Sequence, residues 1–316
     1  MKHTAQVLAA ACALALAALP AKATIDRVVE RSFSVQPGGA LTVRTNGGSI
    51  RVESGDVSAV KVVAHERIRA SSDAEADDVL KKLNLTIEQS GNDVSAVAEY
   101  EKDFGLHWNW PPVSVSFVVT VPARYSADLK TSGGNIAVTD LDGSLHARTS
   151  GGNFKIGKIS GEVDCTTSGG DVSLAEGRAA VHLSSSGGSI SVGHAVGPTE
   201  LRTSGGNLRI DSIEGTLVAR TSGGDIHAVF KGALKGACTL DTSGGQVRAV
   251  VDSNAAFKLD ASTSGGSVDA RGLTITLDGS RHRSSLSGDV NGGGPELRLH
   301  SSGGDIVIET HAAAAR

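Results

Sequence analysis

The sequence predicts an all-β fold: a β-solenoid of stacked coils, 18–21 residues per rung, with one short helix in its N-terminal part. Three observations carry this. Thr-Ser-Gly-Gly or its Ser variant recurs at Thr131–Gly134, Thr149–Gly152, Thr167–Gly170, Ser185–Gly188, Thr203–Gly206 and Thr221–Gly224, eighteen residues apart, then at Thr242–Gly245 and Thr263–Gly266 with a spacing of twenty-one. Self-similarity at a fixed short period marks stacked repeats. Both flanks of each copy alternate with period two, as in Leu145 and Ala147 before the corner and Phe154 and Ile156 after it, which is the pattern of half-buried strands. Glycine makes up 40 of 316 residues and aromatics only 3 %, against a usual glycine share of about 7 %. A core of Val, Ile, Leu and Ala suits narrow rungs. One rung cannot bury its apolar face alone, and stacking supplies the neighbour. A β-sandwich would not place identical corners one above another.

The chain divides as follows. Lys2 and His3, the apolar run Val7 to Leu19 and Ala21-Lys22-Ala23 read as a secretory signal, residues 1–23, cut after Ala23. Its apolar run of about 13 residues is short of the ~20 that span a bilayer, and no later stretch is apolar enough to be a membrane helix. Export to the periplasm, cell surface or medium is expected. Residues 24–126 form an N-terminal β region. Val28 to Val35, Ala40 to Arg44, Val57 to Ile68, Leu85 to Glu88, Val94 to Tyr100 and Val113 to Val121 read as strands. Thr45-Asn46-Gly47-Gly48 is an upstream copy of the repeat. Between about 71 and 83 the period changes: Ser71, Ser72 or Asp73 can cap a helix whose Ala76, Val79, Leu80 and Leu83 share a face. Residues 127–310 are the regular solenoid, with a degenerate copy at Ser287-Gly288-Asp289 and a clean one at Ser301–Gly304; 311–316 are a tail. The regular rungs predict a stack of nine or ten, and an uncovered last rung, Ile306 to Ile308, predicts end-to-end pairing of copies.

The Thr-Ser-Gly-Gly-(Asn/Asp)-apolar-x-apolar repeats, the strand Val119-Thr120-Val121-Pro122 and the leading Pro37-Gly38-Gly39-Ala40-Leu41 resemble the bacterial putative-adhesin family over roughly residues 30 to 310. That resemblance implies an exported β-strand repeat protein of unassigned biochemical function, and transfers no catalytic residue.

Stacking turns each repeat position into a column. Thr131, Thr149, Thr167, Thr203 and Thr221, with the glycine pairs Gly133/Gly134, Gly151/Gly152, Gly169/Gly170, Gly205/Gly206 and Gly223/Gly224, are expected to form a structural turn ladder. Asn135, Asn153, Asp171, Ser189, Asn207 and Asp225 join it; a row of cation or sugar ligands is the competing use. Asp128, His146, Asp164, His182 and Glu200 form an outward column of alternating acid and imidazole, a weak metal-ligand candidate. Charge alternation between stacked rungs explains it more simply. Lys130, Arg148, Arg202 and Arg220 beside it would repel a cation. Cys165 and Cys238 lie four repeats apart, about 19 Å at ~4.8 Å per rung, beyond the ~7 Å reach of a disulfide, so two buried thiols are expected.

Both tryptophans fall in an aromatic loop, 100–112. Tyr100, His107, Trp108 and Trp110 are the ligand-contact candidates, since such rings stack on sugars or anchor a partner. A loop folded over the first regular coil is the structural alternative. No nucleophile elbow, zinc-protease motif or Cys-x-x-Cys occurs, and Gly152 to Lys158 lacks the Ser or Thr of a phosphate loop. Stacked carboxylates, Asp164 with Glu200 or Asp171 with Asp225, keep a carbohydrate-active enzyme as an alternative. The net charge is −4; Lys2 and Lys22 leave with the signal and no acid does, giving −6. Without a basic block, nucleic acid is not an expected partner. The expectation is a non-enzymatic, adhesin-like or envelope structural protein without cofactor, binding an unknown surface glycan or protein. A scaffold in an envelope-sensing system is a further alternative.

Overall fold

The computed structural model describes residues 24–100, 112–278 and 282–311. It is a two-faced β-solenoid: each coil contributes one strand to a 13-stranded sheet and one to a 14-stranded sheet. Inward positions alternate with outward ones, so Val163, Cys165, Val172, Leu174, Val181 and Leu183 are buried while the residues between them reach solvent. Pairing is parallel and advances by one repeat. Leu145 lies beside Val163, Val163 beside Val181, and Val181 beside Thr199. Where the spacing widens to twenty-one, Val218 still meets Thr239, and the added residues fall between the strands Ile226–Phe230 and Cys238–Thr242, where Gly232 has φ 70°.

The helix spans Asp73–Leu80, shorter than the 71–83 expected. Ser72 caps it, its side chain accepting from the Glu75 N–H. Ala76 is buried, Val79 and Leu80 pack against the core, and Leu83 already begins the strand Leu83–Ser90.

Sequence order and spatial order part at both ends. The coil of Gly39–Thr45 and Ile50–Gly55 does not start the stack. It sits between the coil of Asp93–Tyr100 and Val113–Pro122 and the coil of Tyr125–Lys130 and Ile136–Val138. At the other end Glu296–Ser301 and Ile306–His311 slot between the Thr242 and Thr263 coils, paired on both sides. The last coil in sequence is therefore not an uncovered end, which removes the basis for the expected end-to-end pairing. Asn291 (φ 51°), Gly292 (φ 94°) and Gly293 (φ 80°) turn the chain back into this slot. The Ser287-Gly288-Asp289 copy is not a corner but part of Ser285–Val290, antiparallel to Phe257–Thr263. Thr24–Ser34, Leu83–Ser90 and Ile275–Leu277 close three of the four sheet edges in antiparallel fashion, and Val268–Arg271, parallel to Ile306–His311, is the fourth. Among the described residues, eleven parallel strands run through each sheet. The count exceeds nine or ten because Asp93–Tyr100 and Val113–Pro122 make a rung without the repeat signature.

Candidate functional site

The corner is built from three side-chain types. Thr149 Oγ1 donates to the Gly134 carbonyl of the preceding rung at 3.0 Å and accepts from its own Gly152 N–H at 3.3 Å. Thr131, Thr167, Ser185, Thr203, Thr221, Thr242, Thr263 and Ser301 repeat both bonds. These hydroxyls are buried and use both functions inside the protein, so none is presented to a ligand. Thr167→Val is expected to destabilise by about 1–3 kcal/mol, because it strands a buried carbonyl and an N–H. Thr167→Ser, the residue this column already carries at 185 and 301, should cost less. Urea unfolding of the two variants checks the difference.

The polar column works across rungs. Asn135 Oδ1 accepts from Asn153 N–H, Asn153 from Asp171, Asp171 from Ser189, Asn207 from Asp225 and Asp225 from Gln246, each at 2.8 Å. Asp305 accepts from both the Ser267 N–H and hydroxyl, which lowers its carboxyl from the ordinary range.

On the outward face of the 14-stranded sheet, Asp128, His146, Asp164, His182 and Glu200 do stack in register. His182 Nδ1 lies 3.2 Å from Glu200, and His146 Nδ1 4.0 Å from Asp164. The carboxylates are engaged by guanidinium groups: Arg44 with Asp128 (3.8 Å), Arg148 with Asp164 (3.8 Å), and Arg202 with Glu200. Arg202 holds the Glu200 carboxyl below its usual range. Among the described residues no three His, Cys, Asp or Glu side chains converge as a metal site would require.

His107, Trp108 and Trp110 lie outside the described residues. Tyr100 ends its strand buried in the core, opposite Leu83, and so presents no ring to solvent. Cys165 and Cys238 are buried free thiols, and burial pushes both thiols up.

The Toastrack DUF4097 family model matches residues 40–309. This chain belongs to the Toastrack DUF4097 family. Among solved structures, it is similar to a putative adhesin from Bacteroides fragilis at 12 % identity, over 90 % of this chain and 97 % of that one, with a TM-score of 0.39. A putative lipid binding protein from Parabacteroides distasonis follows at 12 % identity, 89 % and 96 % coverage and TM-score 0.34. A putative adhesin from Parabacteroides merdae gives 9 %, 90 %, 96 % and 0.33. No curated protein matches. The resemblance read from the repeats is thus to the right family.

Two polar groupings of this Toastrack chain escaped the sequence reading. His194 Nδ1 lies 3.0 Å from Ser212 Oγ, and its Nε2 lies 3.7 Å from Glu214. The order is that of a Ser-His-acid relay, but the acid is beyond hydrogen-bond reach and half exposed. A relay needs an oriented acid and an oxyanion hole. The 18-residue offset between 194 and 212 was the signal that could have found the pair.

The second grouping sits under the helix. Glu66 points inward on Ala59–Arg69 and is 5 % exposed. Arg27, directly opposite, reaches instead to Asp77 of the helix at 2.7 Å. Burial raises the Glu66 carboxyl above its ordinary range, and Arg27 offsets this only in part. A carboxyl raised in the folded state favours folding at acid pH, and that contribution disappears as pH climbs through its folded value. Glu66→Gln should therefore stabilise the protein at neutral pH and make no difference below the ordinary carboxylate range. Melting temperatures of both proteins across pH check this.

Among the described residues no helix is long and apolar enough to cross a membrane.

Proposed function

We propose that this Toastrack chain is an exported, non-enzymatic, adhesin-like rod that binds a surface glycan or an envelope protein through side chains repeated along its faces. One observation carries the reading: equivalent outward residues of successive rungs lie in register, Asp128 beside His146 beside Asp164 beside His182. Weak contacts repeated at ~4.8 Å on one rigid body add through effective concentration.

The carboxylates considered for catalysis support the same reading. Asp171 and Asp225 are three rungs apart, ~14 Å, while glycosidase pairs stand roughly 5–9.5 Å apart. Asp164 and Glu200 have His182 between them. A general acid needs a raised pKa, and Glu200 is held down by Arg202. Among the described residues, one open depression on a sheet face is lined by Arg51, Ala137, Lys155, Gly157, Ser173 and Ala175, with Asp140 its only carboxylate.

The test is a screen of the purified chain against glycans and envelope proteins, with reducing ends measured in parallel. Retention of a ligand without release of fragments is expected; release of fragments overturns the reading. Trp108→Ala with Trp110→Ala, read by binding and by melting, separates a contact role of the aromatic loop from a capping one.

A further inference from the structure

The chain is acidic overall and has no basic block in its sequence. Stacking assembles one. Arg44 lies beside Lys130, and Lys130 beside Arg148. The same outward column continues through Thr166 and Ser184 to Arg202 and Arg220. Seven consecutive rungs carry no acid in this column, a length of about 29 Å; Asp241 ends it.

The neighbouring column shows what charge dispersal looks like, with acid and imidazole alternating. This one does the opposite. Like charges directly opposite on adjacent strands are destabilising, yet Arg44, Lys130 and Arg148 are stacked, as are Arg202 and Arg220. The adjacent acids relieve only part of it: Asp128, Asp164 and Glu200 engage Arg44, Arg148 and Arg202. Lys130 and Arg220 have no ion-pair partner among the described residues, and both are exposed. Within these two columns, from Arg44 to Arg220, five cations stand beside three carboxylates, a local surplus of two positive charges on a net-negative chain.

Resting on the partner-binding reading above, we propose that this column is a binding track for a linear carboxylated polysaccharide laid along the rod axis. The track is one side chain wide. The flanking Asp128, Asp164 and Glu200 carboxylates repel a broad polyanion such as a nucleic acid duplex. No aromatic residue stands in the column for bases to stack on, the usual platform for single strands. Thr166 and Ser184 in the middle of the track, with His146 and His182 beside it, offer hydrogen bonds to sugar hydroxyls.

The experiment measures binding of the full chain to polygalacturonate, to neutral dextran and to a single-stranded DNA oligonucleotide. The comparison protein is Lys130→Ser/Arg220→Ser, which installs the residue this column already holds at 184 on two exposed positions. Its melting temperature confirms the fold. Polygalacturonate should bind and dextran should not, the double variant should bind about tenfold or more weakly, and added salt should weaken the native complex. Absence of polygalacturonate binding, or equal binding by the variant, overturns the track. DNA bound as tightly as polygalacturonate overturns the polysaccharide assignment. A neutral glycan or protein retained in the wider screen, with no polygalacturonate bound, sinks the track alone. Retention of nothing in either experiment sinks the partner-binding reading with it.

Discussion

Gly152→Ala is expected to destabilise the solenoid strongly while Gly151→Ala, one residue away, leaves it intact. A Cβ at 152 would lie 1.9 Å from the Gly134 oxygen, 2.4 Å from its carbonyl carbon and 2.8 Å from Asn135 N. All three are backbone atoms of the preceding rung, so the clash is relieved only by prising two rungs apart. At 151 the nearest atom is the Gly133 oxygen at 4.0 Å, an ordinary contact. Overpacking against atoms that cannot turn away costs about 3 kcal/mol or more, a fall in melting temperature of roughly 6–12 °C. Gly151→Ala should instead gain about 0.4–1 kcal/mol by restricting the unfolded chain. Thermal melts of the two variants decide it. Equal melting would mean that the rungs are not in close backbone contact at this corner.

Ending the chain after Pro295 is expected to have the larger effect of the two. In a simple stack the last coil is the most dispensable. Here Leu297, Leu299, Ile306 and Ile308 are fully buried between the Thr242 and Thr263 coils. Their burial is worth about 6–12 kcal/mol in all, taking ~1.5–3 kcal/mol for each side chain. Without them the module of residues 257–290 loses the strands through which it joins the rod, and each sheet is left with unpaired edges. Urea unfolding should shift strongly, and limited proteolysis should cut between 252 and 257. A truncated chain that melts and resists protease like the full one would refute the intercalated placement.

Both effects show how far the sequence could be read. The rung length, the two strands per rung and the position of the Gly-Gly corner follow from local periodicity, and the register of Leu145, Val163 and Val181 agrees with it. The reason for the glycines was only half legible. Either a left-handed backbone or close approach would require them, and neither corner glycine is among those with positive φ; the approach of Gly152 to Gly134 decides. Hydrogen bonds of the threonine hydroxyls repeat because neighbouring rungs present the same carbonyl, which the spacing alone implies. Tyr100, a ligand-contact candidate by its place in the aromatic loop, falls on the buried parity of the alternating strand Asp93–Tyr100.

What the sequence by itself determined is the repeating unit, because period, corner and inward parity are set by residues within a few positions of one another. What only the tertiary structure decided is which coils become neighbours at the ends, and which side chains meet once they do. Strand pairing at the ends is a choice among edges distant in sequence, and no local pattern distinguishes the slot filled by Ile306–His311 from an open end. In the same way Lys130 and Arg148 are eighteen residues apart along the chain and one strand spacing apart in space. A charge ladder exists only after the coils have stacked.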